Sequence, residues 1–225
     1  MRGSTLGIAM TDKQKPYYII DGKVYARVTR ILSIIRDIEY GGNPDPTMMN
    51  EAASIGTKVH HLIEADINAG LKPKPSATEA VNSCMQAYSD WKRTRMPVNP
   101  KSEVLVWSEK HMVACTIDLI DDEYITDFKT SARLLTRHWL QVNAYSAIYQ
   151  EWWNNHGNIF TGIPQCRLLR LDKTLAMYEE KVEPFSEERW KTFLDIKEVY
   201  IDLLGSELLD GELEIIGGEH GDTSG

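Results

Sequence analysis

The sequence contains no apolar run near the roughly 20 residues that a membrane-spanning helix needs. Its opening 18 residues lack the long apolar core of a secretory signal. Cysteine is scarce: Cys84, Cys115 and Cys166 form an odd, widely spaced set. With no CxxC pair they suggest neither a zinc site nor an iron–sulfur cluster, and ordinary thiols in a reducing cytoplasm are expected. A long basic stretch is missing too, and the formal charge is −8. Much of that charge lies at one end, where residues 205–225 carry Glu207, Asp210, Glu212, Glu214, Glu219 and Asp222 and no Lys or Arg. Without them, 25 basic residues face 27 acidic ones. This balance excludes a protein that coats nucleic acid by bulk electrostatics, but it leaves room for a local basic groove.

What is present reads as one globular domain. A chain of 225 residues, 42% hydrophobic, can bury a sizeable core. The expected domain spans 15–204, with a disordered N-terminus over 1–14 and an acidic, disordered tail over 205–225. Asp21-Gly22 between YYII and KVYA predicts a β-hairpin. A short helix follows over 28–36, with Thr29 as its cap, and then a Gly- and Pro-rich loop over 41–46. One helix is expected from about 47 to 69, ending at Gly70, and another from a capping box at Ser76 and Glu79 towards Arg95. Three β-rich runs come next: SEVLVWS, HMVACTIDLI and EYITDFKT. Ser131 can cap the long helix after them, which two strands and a final amphipathic helix follow. This order predicts an α/β fold, a mixed central sheet flanked by helices with a helical region before it.

Chemistry concentrates in the middle of the chain. Asp118 lies nine residues before Asp127, the first residue of Asp127-Phe128-Lys129, around a tight turn at Asp121-Asp122. Strand alternation puts Asp127 and Lys129 on one face, with Phe128 opposite. The hairpin can bring Asp118 beside them. Two carboxylates and an ammonium on one patch suit a hard divalent cation and an activated water. The bland alternative is a solvated charged hairpin, although YITDFKT is β-rich rather than turn-like. On a helical wheel, Ile55, Val59, Leu62 and Ile63 form a buried arc with His60 at its edge and His61 on the far side. His60 can thus reach a cleft, oriented by Glu64 one turn on, or simply pack. Gln141 and Tyr145, four residues apart, share a helix face and can bind phosphate or position the lysine, or serve the core.

Taken in order, Gly56 to His60 (G-T-x-V-H), Glu103, Asp118 in T-I-D, Asp127 to Thr130 (D-F-K-T), and Gln141 with Tyr145 resemble the RecB-type branch of the PD-(D/E)XK nucleases. Val28 to Leu32 is similar to a subgroup with mitochondrial genome maintenance and phage exonucleases. The resemblance implies a restriction-endonuclease-like fold and a DNA exonuclease using Mg²⁺ or Mn²⁺. His60, Asp118, Asp127 and the Phe128 carbonyl would hold the metal, and Lys129 would be the catalytic lysine. Glu103 would join the catalytic set, with Glu109 as a competitor. Gln141, Tyr145, Thr29 and Arg30 would contact DNA. Ile117 stands where the family name has proline.

Helices held near the metals predict a narrow cleft that favours a single strand with a free end. Tyr40, Tyr88 and Trp91 offer stacking surfaces there. Replication or recombination proteins are the partners such a role implies, and no membrane is involved. The alternatives are a nuclease-derived DNA-binding module without activity and a structure-specific endonuclease on the same fold.

Overall fold

A computed structural model describes residues 16–36, 45–72, 74–157 and 164–205. Residues 1–15 and 206–225, Tyr40 and most of the 41–46 loop lie outside them, and Gly205, expected in the tail, ends the last helix. The chain forms a seven-stranded mixed sheet with helices on both faces, the architecture expected from the sequence. Strands β1 (Tyr17–Ile20) and β2 (Lys23–Arg27) make the predicted hairpin. Both turn residues, Asp21 (φ 50°) and Gly22 (φ 76°), are left-handed, as a tight two-residue hairpin turn of this twist demands.

Strand β4 (Val113–Ile120) is the hub. One of its edges pairs along its length with antiparallel β3 (Lys101–Ser108). A strand has only two edges, so its other neighbours must share the second. There β2 runs parallel at Val113 and Ala114, and β5 (Tyr124–Lys129) antiparallel at Leu119 and Ile120. Between them, residues 115–118 face a gap in the sheet. Beyond β5 the order continues through parallel β6 (Gln165–Leu171) to antiparallel β7 (Tyr178–Glu183).

Helix α1 (Val28–Ile31) continues into a 3-10 turn, Leu32–Ile35. Helix α2 (Pro46–Ala69) ends at Gly70, whose φ of 62° suits a glycine stop. With α3 (Glu79–Arg95) it covers one face, packing Val59, Ile63, Val81, Tyr88 and Trp91 on Leu119, Phe128 and Leu169. Helices α4 (Thr136–Asn155) and α5 (Glu187–Gly205) cover the other, with Val142, Ile148 and Phe193 against Cys115, Ile117 and Leu168. No described helix is long and apolar enough to cross a membrane.

Three expected helix starts are displaced, two of them by local polar competition. Arg27, not Thr29, precedes α1, and no side chain caps that helix. The Ser76 hydroxyl accepts from the Thr78 amide in a local turn, so the capping box does not form and Thr78 becomes the N-cap of α3. The Ser131 hydroxyl donates to the Arg133 carbonyl, and α4 begins only after Leu135. There the His138 Nδ1 accepts from the Leu135 amide, a task that glutamate or glutamine usually performs at that position.

Candidate active site

The gap in the sheet gathers the candidate residues. Along β4, Val113, Cys115 and Ile117 join the core under α4, yet Leu119 joins the core under α2 and α3. Strict alternation would keep Ile117 and Leu119 on one face. The pleat therefore slips at Asp118. Across the β3–β4 ladder from it stands Glu103, whose φ of 54° is left-handed although it lies inside a strand. A residue with a Cβ adopts that backbone at a cost of about 1–3 kcal/mol. Glu103 and Asp118 thus stand opposite each other at the break, beside the gap.

From above, α2 brings His60 to the same place. Its Nε2 lies 3.2 Å from the Phe128 carbonyl oxygen, and its Nδ1 lies 3.4 Å from Asp118 Oδ1. Gly56, one turn earlier, faces the end of β5, where a Cβ would make an ordinary contact with Thr130 Oγ1 at 3.4 Å. The Phe128 amide donates to Asp118 Oδ2 at 2.8 Å, which fixes the carboxylate between β4, β5 and α2. One ligand atom from each of His60, Glu103 and Asp118 falls within 4.8 Å of the others.

Asp127 is fully buried beside this group. Lys129 Nζ donates to its Oδ1 at 2.9 Å and lies 2.8 Å from Oδ2, which itself receives no well-formed hydrogen bond. Gln141 spans the pair: its Nε2 donates to Asp127 Oδ1 at 2.8 Å, and its Oε1 accepts from Lys129 at 3.1 Å. Its Nε2 also lies 2.7 Å from the Tyr145 hydroxyl, so the shared helix face is used as expected. Burial pushes the Asp127 carboxyl up to about 6, against the pull of the Lys129 charge. For Asp118, burial is the largest influence and favours the neutral acid, but the charge and hydrogen bond of His60, the Lys129 charge and the Phe128 amide together outweigh it and the pKa falls. Reciprocally, Asp118 more than offsets burial at His60 and raises the imidazole pKa. Burial lifts the Tyr145 phenol far above its ordinary value, so it remains a neutral hydroxyl.

A cavity of about 380 Å³ opens on the group, lined by Glu103, Asp118, Gln141 and Tyr145 on one side and by Tyr18, Arg27, Thr29 and Thr57 on the other. Arg27 stacks on the Tyr18 ring at 3.9 Å and donates to its hydroxyl at 3.0 Å. Neither Tyr18 nor Arg27 was singled out in the sequence. Their signal was faint: alternation places Tyr25 and Arg27 on one face of β2, but not that β2 borders the gap.

Several expectations need correction. Arg30 is exposed and does not line the cavity; Arg27 takes that place because the chain turns into α1 directly after it. Glu109 pairs with Lys23 near the hairpin, which leaves Glu103 as the carboxylate at the gap. Glu64 faces His61 at 3.4 Å rather than orienting His60. Tyr88 and Trp91 are enclosed in the α2–α3 core, at 1% and 0% exposure, and present no ring to a base.

An imidazole, two carboxylates and a backbone carbonyl are the donor types that Mg²⁺ and Mn²⁺ accept, and the buried Asp127 Oδ2 retains a lone pair without a hydrogen bond. The site therefore fits a divalent cation.

No protein-family model and no curated protein matches this chain. Among solved structures, a candidate exonuclease from Eubacterium rectale superposes with a TM-score of 0.51 at 13% identity, over 88% of this chain and 83% of that one. The alkaline exonuclease LHK-Exo of Laribacter hongkongensis gives a TM-score of 0.47 at 10% identity, over 85% and 93%. At these identities the first likeness is one of fold.

Proposed function

We propose that this protein is a divalent-metal-dependent deoxyribonuclease that degrades single-stranded DNA from an end. One observation carries the reading. A compact His60–Glu103–Asp118 donor group adjoins a Lys129–Asp127–Gln141 network at the mouth of one cavity. The structural neighbour from Eubacterium rectale is itself described as a candidate exonuclease, which agrees with it.

His60, Glu103 and Asp118 would hold Mg²⁺ or Mn²⁺, with Asp127 and the Phe128 carbonyl as adjacent donors. Bound by these residues, such a cation would supply charge neutralisation at the scissile phosphate and a more acidic water. The Lys129 ammonium steadies that water or the charge developing on the phosphoryl oxygens. Gln141 holds the ammonium in place, and Tyr145 holds Gln141. Thr29 and Arg27, across the cavity, are placed to meet the strand backbone. With α2 and the β1–β2 hairpin as its walls, the passage suits one strand better than a duplex.

The test compares linear single-stranded DNA, circular single-stranded DNA and blunt duplex, each with Mn²⁺, Mg²⁺ or EDTA. Metal-dependent loss of the linear single strand is expected, with the circle spared and the duplex slower. Rapid cutting of the circle would make the protein an endonuclease, and no cutting of any DNA would remove the nuclease reading.

A further inference from the structure

We infer that Tyr18 is a positioning residue, which holds the Arg27 guanidinium ready for the backbone of a DNA strand entering the cavity. The inference rests on the nuclease reading and adds a residue to it. Charge gives the cavity little of its own to attract a polyanion. Glu103 and Asp118 line it, and among the described residues of that lining Arg27 is the one basic side chain. A strand that approaches two carboxylates therefore depends on this guanidinium, besides any bound cation, for its attachment.

The hairpin delivers Arg27 to this place. It is the last residue of β2, paired with Ala114 of β4, and its amide donates to the Pro16 carbonyl at 3.1 Å. Tyr18 stands opposite Tyr25, so alternation puts Tyr18, Tyr25 and Arg27 on one face of the hairpin. There the guanidinium lies 3.9 Å from the centre of the Tyr18 ring, and its Nη1 donates to the phenol oxygen at 3.0 Å. That hydroxyl keeps its own hydrogen for Thr116 Oγ1, 3.0 Å away on β4. Thr116 lies two residues before Asp118, so the chain of contacts ties the guanidinium to the strand that carries the metal group. Tyr18 itself is buried and cannot swing aside. An arginine on an open surface samples many rotamers and loses that freedom on binding phosphate. Stacked and bonded beforehand, Arg27 has already lost it, and binding costs less.

Binding of a fluorescein-labelled thymidine oligonucleotide with phosphorothioate links, in Ca²⁺, tests this without reading cleavage. Arg27→Met should weaken binding about tenfold and flatten the dependence of log Kd on log salt by about 0.7, the value of one phosphate contact on a single strand. Tyr18→Phe keeps the ring and loses both hydroxyl bonds, and it should weaken binding roughly three- to tenfold. In the Arg27→Met background the same change should cost nothing, because Tyr18 acts through Arg27. Mn²⁺ affinity should stay within roughly twofold of wild type in all three variants. Wild-type affinity in Tyr18→Phe, an equal loss with and without Arg27, or a parallel fall in Mn²⁺ affinity overturns the inference. Arg27→Lys, which keeps the charge without the planar stack, serves if Tyr18→Phe does not fold. Weaker binding with an unchanged salt slope then supports the inference, and wild-type affinity overturns it. A protein that shows the coupling yet cleaves no DNA loses only the nuclease reading, whereas an active nuclease without the coupling loses only this inference. Absence of oligonucleotide binding by the wild type overturns both.

Discussion

His60 and His61 are adjacent in sequence and opposite in circumstance. The first touches the Phe128 carbonyl and Asp118, whereas the second is half exposed beside Glu64. His60→Ala should weaken Mn²⁺ binding at least tenfold, roughly the loss expected when a metal site's support is removed. His61→Ala should leave it within a factor of two. Equal losses in a Mn²⁺ titration would take His60 out of the site.

His138 tests a different property of single residues. It is buried at the start of α4, and burial drives its pKa down to about 3. In the unfolded chain a histidine takes up its proton near 6.5. Between those values the unfolded state binds the extra proton, so stability is complete above about 6.5 and declines as pH falls. The loss approaches roughly 1.4 kcal/mol per pH unit. His138→Gln keeps an acceptor for the Leu135 amide and removes the titration. Urea melts from pH 4 to 7 should show a flatter acid limb for the variant, and an unchanged slope would count against the buried neutral imidazole.

Between elements, the decisive contact is α2 against the end of β5. Gly56 is a poor helix former, costing about 1 kcal/mol relative to alanine. It stands where a Cβ would just touch Thr130 Oγ1. Gly56→Ala should therefore fold as well as wild type, or slightly better, with Mn²⁺ affinity kept. Gly56→Leu has no room; it should push α2 outward, carry His60 away from Asp118 and lower Mn²⁺ affinity even in folded protein. Retention of full affinity by the leucine variant would show that α2 is free to adjust. The same approach explains why Tyr88 and Trp91 fail as stacking residues: α2 and α3 close on Phe128, and their aromatic rings fill that contact.

Over the whole molecule, the far half of the sheet is held by a buried cation. Arg167 on β6 pairs with Asp121, donates to Thr126 Oγ1 at 2.8 Å and stacks over Tyr124 at 4.2 Å. Glu180 on β7 lies 3.7 Å away and also accepts from Trp91 Nε1. One side chain thereby ties β5, β6 and β7 to α3. Arg167→Met removes the cation and strands Asp121 in the interior. The expected cost is about 3–5 kcal/mol, the usual penalty for an uncompensated buried charge. Chemical denaturation should show it, while Mn²⁺ binding by the folded fraction should persist, because none of these groups lines the cavity. A loss below about 1 kcal/mol would mean that water reaches Asp121 after all.

The sequence by itself determined the order of elements, because hydrophobic period and turn chemistry are local. The hairpin at Asp21-Gly22, the end of α2 at Gly70, and Asp127, Phe128 and Lys129 alternating along β5 are all legible without coordinates. The grouping of His60, Asp118, Asp127, Lys129, Gln141 and Tyr145 was likewise readable as an ordered set of residues that resembles a nuclease site. Helix starts were less legible, since Ser76 and Ser131 can serve either a cap or a nearby turn, and only the neighbouring backbone chooses. Tertiary structure alone decided the rest. The gap in the sheet arises because β2 and β5 share one edge of β4 at different heights, a pairing between segments far apart in the chain. That gap selects Arg27 over Arg30 and Glu103 over Glu109. The pleat slip at Asp118 and the left-handed Glu103 have no sequence period to announce them. They persist because the surrounding ladder and two helix layers hold the backbone where isolated strands would relax.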